Sequence, residues 1–189
     1  MPVAAIPHRP KLTQADYELF PEDGQRHEII DGEHFVTPAP NPHHQRIHRR
    51  IFLALGVFLE EHGLGELFSA PLDVVLSDFD IVQPDLVFFS TERLALLTER
   101  HAEGAPDLVV EVLSPSTRRR DERMKRNLYE QAGVREYWIV DPELETVKVY
   151  TLRDGLFAAA VELAMEAGDV LATDLLPGFE LSLAKLFAS

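Results

Sequence analysis

The sequence predicts an α/β (α+β) fold, a mixed central β-sheet flanked by helices with short hairpins added toward both ends. Three observations predict it. The apolar run Leu108-Val-Val-Glu-Val-Leu113 has the length and composition of a strand buried on both faces. A helical period, carried by Met124, Leu128 and Ala132, follows shortly after it. Asp31-Gly32 separates two short β-prone segments, which is the strongest local signal for a hairpin.

In chain order, residues 1–11 read as a loose arm with three prolines, and residues 12–189 as one domain. Thr13 caps a first short helix, to which Tyr17, Leu19 and Phe20 supply apolar cover. Arg26 to Val36 is the hairpin, with Glu28 in its first arm, and Thr37-Pro-Ala-Pro-Asn-Pro42 is a stiff connector that no helix can cross. From His43 to about His62 the period turns helical through Ile47, Ile51, Leu55 and Phe58, and Gly63 ends it. The polar face of its first half carries Arg46, His48, Arg49 and Arg50. Three strands follow, over 66–70, 72–76 and 81–89, the last holding Pro84 at a strand start or bulge. After a polar excursion over 90–105, the strand through Glu111 stops at Ser114-Pro115, and Ser116 or Thr117 caps the next helix. Tyr137 to Val140 is another buried strand, Arg153-Asp-Gly155 turns a second hairpin, and Leu181 to Phe187 closes the chain as a short helix.

Composition removes several function classes. There is no cysteine, hence no disulfide, thiolate metal site or cysteine nucleophile, and a reducing cytoplasm is compatible with that. No run approaches the ~20 apolar residues of a membrane span, and the N-terminus lacks the apolar core of a signal peptide. A cytoplasmic protein without membrane contact is expected. The net charge of −14 argues against non-specific nucleic-acid binding, though local basic contacts and a metal site would still permit a nuclease. No Gly-x-Ser-x-Gly elbow supports a serine hydrolase, no glycine loop cradles phosphate, and the eight histidines lack zinc-site spacing, so no organic cofactor is implied.

The chemistry concentrates on a few ionisable residues in apolar settings. A buried carboxylate costs several kcal/mol unless something compensates it, so Glu111 is either half of a structural ion pair or part of a site. Asp85, after Pro84, is either a strand-end cap or its companion. Neighbouring strands would place both carboxylates at one end of the sheet, a donor set suited to Mg²⁺ with Mn²⁺ as substitute. Lys125, on the following helix, has a stem long enough to reach back over that strand end, although lysines more often stay exposed. Two carboxylates and a lysine are what metal-assisted phosphodiester hydrolysis requires.

At these residues the chain resembles the PD-(D/E)xK nuclease superfamily, and within it the bacterial restriction-endonuclease family once filed as a domain of unknown function. The matching pieces are Glu28-Ile-Ile-Asp-Gly-Glu33, Gln83-Pro-Asp85-Leu-Val, and Pro106-Asp-Leu-Val-Val-Glu111-Val-Leu-Ser-Pro-Ser-Thr117. Asp121, Lys125, Tyr129 and Gly133-Val-Arg-Glu-Tyr-Trp-Ile-Val-Asp141-Pro extend the match. The superfamily pattern places a lysine two residues after the glutamate, where this chain has Leu113. The family resembled supplies it from the following helix, which maps onto Lys125. The resemblance therefore implies a restriction-endonuclease-like fold, with Asp85, Glu111 and a backbone carbonyl near Val112 as ligands of Mg²⁺ and Lys125 as catalytic lysine. Glu28 becomes an additional acid, either behind these ligands or holding a second ion.

His44 is a phosphate contact, a general base or a plain helix-terminal histidine. Arg118, Arg119, Arg120 and Arg123 form one cluster for DNA phosphates, and Arg46, Arg49 and Arg50 another, with simple solvation as the ordinary alternative. The leading expectation is a homodimeric, Mg²⁺-dependent endonuclease acting on DNA. Its rival is a catalytically silent binding module on the same scaffold.

Overall fold

The computed structural model describes residues 10–188, so the expected N-terminal arm lies, up to residue 9, outside the described residues. Lys11 and Leu12 are tied down: Lys11 pairs with Asp31, and the Leu12 N–H donates to the Gly32 carbonyl. Thr13 caps α1 (Gln14–Tyr17) in a reciprocal capping box with Asp16. β1 (Arg26–Ile30) and β2 (Glu33–Thr37) form the hairpin, and both turn residues, Asp31 and Gly32, occupy the left-handed region that a tight primed turn demands. α2 (Pro42–His62) starts under the Asn41 side chain, which accepts from the His44 N–H, and ends at left-handed Gly63.

Next come β3 (Gly65–Ser69), β4 (Val74–Ser77), β5 (Asp80–Val82), β6 (Leu86–Ser90), β7 (Ala102–Glu103) and β8 (Leu108–Val112). A wide π-type turn, Arg120–Lys125, then runs directly into α3 (Arg126–Ala132). The remainder is β9 (Glu136–Asp141), β10 (Thr146–Arg153), β11 (Leu156–Phe157), β12 (Val161–Ala164), β13 (Val170–Ala172), β14 (Glu180–Ser182) and α4 (Leu183–Leu186).

The larger sheet has the order β11-β10-β9-β8-β6-β3, with β12 also on β10. Among the described residues its one parallel pair is β8 with β9, and α3 makes the crossover that such a pair requires. A second sheet has the order β2-β1-β5-β4-β7, and β13 pairs with β14. The fold is mixed α+β, as the sequence predicts.

Alternation along β8 separates two cores. Leu108, Val110 and Val112 pack toward α2 and α4 with Ile47, Ile51, Leu55 and Trp138. Val109 and Leu113 pack the other way with Tyr129, Tyr137 and Val82. Glu111, at the same parity as Val109 and Leu113, therefore points to the α3 side.

Three expectations change. The single strand over 81–89 is two strands in different sheets, β5 and β6, with Gln83-Pro84-Asp85 crossing between them. Pro84 has no N–H for a ladder, so the break falls there. Leu19, expected as apolar cover for α1, is exposed. The helix after β8 is rotated from the expected register: Met124, Leu128 and Ala132 are half-buried, while Asp121, Lys125 and Tyr129 form its innermost stripe. Ion pairs and hydrogen bonds to Glu28 and Glu111 are what let that polar stripe face inward.

Candidate active site

β6 and β8 run antiparallel with Leu86 opposite Val110, so the start of β6 meets the end of β8. Asp85 immediately precedes β6 and Glu111 sits one residue from the end of β8, which brings the two acids to one edge of the sheet. Both line a cleft of about 210 Å³, together with Arg26, His44, Arg120 and Lys125. The proline connector forms one wall through Pro38 and Pro40, and Ser114 to Thr117 forms another.

Asp85 is buried and fully hydrogen-bonded. Its Oδ1 accepts from Arg26 Nη1 at 2.7 Å; its Oδ2 accepts from the Val112 N–H at 2.9 Å and lies 3.1 Å from His44 Nε2. Against a carboxylate oxygen that ring nitrogen carries the proton. His44 Nδ1 is buried without a hydrogen-bond partner among the described residues. Burial works to raise the Asp85 pKa, but the His44 hydrogen bond and the Arg26 charge outweigh it and hold the carboxyl below the usual range. His48 Nε2 lies 3.1 Å from the Asp85 carbonyl, so α2 grips the residue twice.

Glu111 stands in a second cluster. Lys125, only 2% exposed, places its Nζ 2.7 Å from Glu111 Oε1 and 2.7 Å from Glu28 Oε1, with Asp121 Oδ1 at 3.9 Å. The Tyr129 hydroxyl donates to the same Glu111 oxygen at 3.0 Å. Both hydrogen bonds fall on Oε1, and Oε2 has none among the described residues. Glu28 is further held by the Gln83 N–H at 3.0 Å and by Arg120 at 3.4 Å. Asp121 Oδ1 and Arg120 Nε are buried without hydrogen-bond partners among the described residues. Burial pushes the Glu111 pKa up to about 8, with Asp121, Asp85 and Glu28 adding to the rise and Lys125 opposing it. Burial also disfavours the Lys125 ammonium, but Glu111, Glu28 and Asp121 overcome this and hold its pKa above the ordinary lysine value.

The donor set fits a hard divalent cation: Asp85, Glu111, Glu28 and Asp121 offer only oxygens, and one of those oxygens is buried without a partner. Their arrangement is closed, because Arg26 and Lys125 hold the carboxylates, and among the described residues no three acids or histidines converge on one point for a metal.

The structure thus brings together Asp85, Glu111, Lys125, Glu28, His44 and Val112. The expected phosphate contacts are not gathered in this way. Arg118 spends its guanidinium on Asp141 and Glu143, and Arg120 on Glu28 and Thr37. Arg119, Arg46 and Arg49 are exposed, and Arg50 donates to the Leu186 and Ala188 carbonyls. Arg26 had no role in the sequence reading, yet it shares a strand face with Glu28 two residues on, a period-2 signal available in the sequence. Asp121 and Tyr129 appeared there only as matching letters.

The profile of the Uma2 family, described as "Putative restriction endonuclease", matches residues 14–184. Among solved structures, one from Anabaena variabilis, described as a putative nuclease belonging to DUF820, superposes with a TM-score of 0.80. The match covers 94% of this chain and 98% of that one at 20% identity, a level at which it carries the fold. No curated protein matches. Among the described residues, no helix is long and apolar enough to cross a membrane.

Proposed function

The chain belongs to the Uma2 family, and from that premise we propose that it is a metal-dependent endonuclease hydrolysing phosphodiester bonds of DNA. The observation that carries the reading is Lys125, a fully buried cation 2.7 Å from both Glu28 and Glu111 in a cleft shared with Asp85. Burying that many charges is expensive, and a site chemistry is the return that makes sense of it.

Asp85, Glu111 and the Val112 carbonyl would hold Mg²⁺ or Mn²⁺, which when bound supplies a water of lowered pKa and charge neutralisation at the phosphate. The other tasks fall to the chain. Lys125 donates to the attacking oxygen and stabilises the negative charge that builds there. Glu28 keeps the ammonium at the depth of Glu111. The Val112 N–H and His44 orient Asp85, and Arg119, exposed beside the Ser114–Thr117 wall, takes a flanking phosphate. The test is cleavage of supercoiled plasmid in Mg²⁺ or Mn²⁺. Glu111→Ala and Lys125→Ala are expected to lose about a hundredfold or more of the rate; undiminished cleavage in both overturns the assignment.

A second reading, a catalytically silent module, is favoured by Asp85, whose two oxygens both already accept from protein donors. Calorimetry separates the two: Mn²⁺ binding that disappears in Asp85→Ala and Glu111→Ala supports the nuclease, and no binding to the parent supports the module.

A further inference from the structure

The outward face of α2 carries two exposed apolar side chains. Leu53 and Val57, one helical turn apart, are 54% and 57% exposed. At 100° per residue, Arg46 and Arg49 lie on the same stripe toward the N-terminus, and Glu60 and Glu61 continue it toward the C-terminus. The stripe therefore reads basic, apolar, acidic along one helix. Arg46, Arg49, Glu60 and Glu61 make no ion pair among the described residues, whereas Arg50 beside them is occupied by the Leu186 carbonyl. A groove lined by Leu53, Gly56, Val57, Glu60, Glu66 and Leu67 runs between α2 and β3. β3 is an edge strand of the larger sheet, paired among the described residues only with β6. A Cβ built on Gly56 would meet nothing within 4 Å, so the helix presents a shallow notch at the middle of the stripe.

We propose that this face docks a second copy of the chain, the two α2 helices packing antiparallel about a two-fold axis near residue 55. A basic–apolar–acidic stripe is complementary to itself only in that direction. Reversal sets Arg46 and Arg49 of each copy against Glu60 and Glu61 of the other, and sets Leu53 and Val57 against Val57 and Leu53 over the Gly56 notches. An isologous interface of this kind doubles every contact. It also offsets the repulsion between two chains of net charge −14 with four local attractions. Arg46 and Arg49 are thereby assigned to the second copy rather than to DNA phosphate. The helix rises ~1.5 Å per residue, so His44 stands about 16 Å from the axis and the two clefts lie roughly 33 Å apart along α2. That spacing is about one turn of B-form DNA. The pairing itself depends on neither the metal nor the nuclease reading.

Sedimentation velocity on the full chain, without metal or DNA, tests it. The parent is expected to dimerise in the micromolar range, and Leu53→Glu with Val57→Glu to be monomeric with an unchanged unfolding midpoint. Two charge variants give the sharper test: Arg46→Glu/Arg49→Glu carries four acids on the stripe, and Glu60→Arg/Glu61→Arg carries four bases. Each alone is expected to weaken self-association at least tenfold, and an equimolar mixture to recover a heterodimer. A monomeric parent, a dimer indifferent to these changes, or a mixture that fails to associate overturns the proposal.

Discussion

Two Pro-Asp pairs precede neighbouring strands of the same sheet, Pro84-Asp85 before β6 and Pro106-Asp107 before β8. Because β6 and β8 are antiparallel, the two acids lie at opposite ends of the sheet. Both are buried, and their surroundings differ in kind. Asp107 has more cations than it needs: Arg135 donates to Oδ1 at 3.1 Å, Arg93 lies at 3.4 Å, and Oδ2 takes the Ser90 N–H at 2.7 Å. Both arginines keep part of their side chains in water, and no other acid competes for them among the ion pairs. At the other end, Glu28, Glu111 and Asp121 share Lys125 and Arg120, so carboxylates outnumber cations. Asp85 itself is compensated by Arg26 and His44, as Asp107 is by its arginines. The difference lies in the neighbours of Asp85: Glu28, Glu111 and Asp121 are left short of positive charge, and burial alone does not tell the two ends apart.

The largest expected effect lies at the short-charged end. Lys125→Ala removes the cation from three buried carboxylates, and breaking such a cluster costs about 3–5 kcal/mol. It should therefore lower the unfolding midpoint strongly as well as cut plasmid cleavage about a hundredfold or more. Asp107→Asn, at the other end, leaves two arginines that keep part of their side chains in water and replaces the carboxylate acceptor of the Ser90 N–H by an amide, for about 1–3 kcal/mol. Cleavage per folded molecule should be unchanged in that variant. If Asp107→Asn lost activity while folded, the contrast between the two ends would fail.

The pH dependence of stability sharpens the same contrast. Glu111, at about 8 in the folded chain, keeps a proton that the unfolded chain releases near the ordinary glutamate value. Between those two values the folded state binds more protons, so this group makes stability fall as pH rises, and its effect levels off above about pH 8. Glu111→Gln removes the titration. In chelator-treated protein its unfolding midpoint should gain on the parent from pH 5 to pH 8. A difference constant across that range would show that Glu111 is ionised throughout and that the cluster is not short of charge.

The sequence made the outline of the site legible because its residues sit where apolar ones belong. Glu111 inside Leu108–Val112 and Asp85 after Pro84 are anomalies that a hydrophobic pattern exposes. The hairpin was equally plain, since Asp31-Gly32 meets a backbone requirement few residues satisfy. The rotation of the helix after β8 was not legible. Apolar periodicity puts Met124, Leu128 and Ala132 inward, and only the partners Glu28 and Glu111, distant in sequence, make Asp121, Lys125 and Tyr129 the better buried face. Arg26 shares a period-2 face with Glu28, but its partner Asp85 lies in the crossing segment before β6, distant in sequence, and nothing local marks that pair.

Tyr129 makes the finest distinction between site and scaffold. Its hydroxyl donates to Glu111 Oε1, while Tyr137 in the neighbouring strand donates at 3.1 Å to the Asp121 backbone carbonyl. Each phenylalanine substitution removes one buried hydrogen bond and should cost about 1 kcal/mol. Their effects on Mn²⁺ should part. A donor to a carboxylate favours its ionised form, so Tyr129→Phe makes Glu111 harder to deprotonate and should weaken Mn²⁺ binding several-fold at pH 7. Tyr137→Phe leaves the carboxylates as they were, and its Mn²⁺ isotherm should overlay the parent's. Equal isotherms in both variants would place Tyr129 with the scaffold, and equal losses in both would mean that the two tyrosines act only by holding α3 against the sheet.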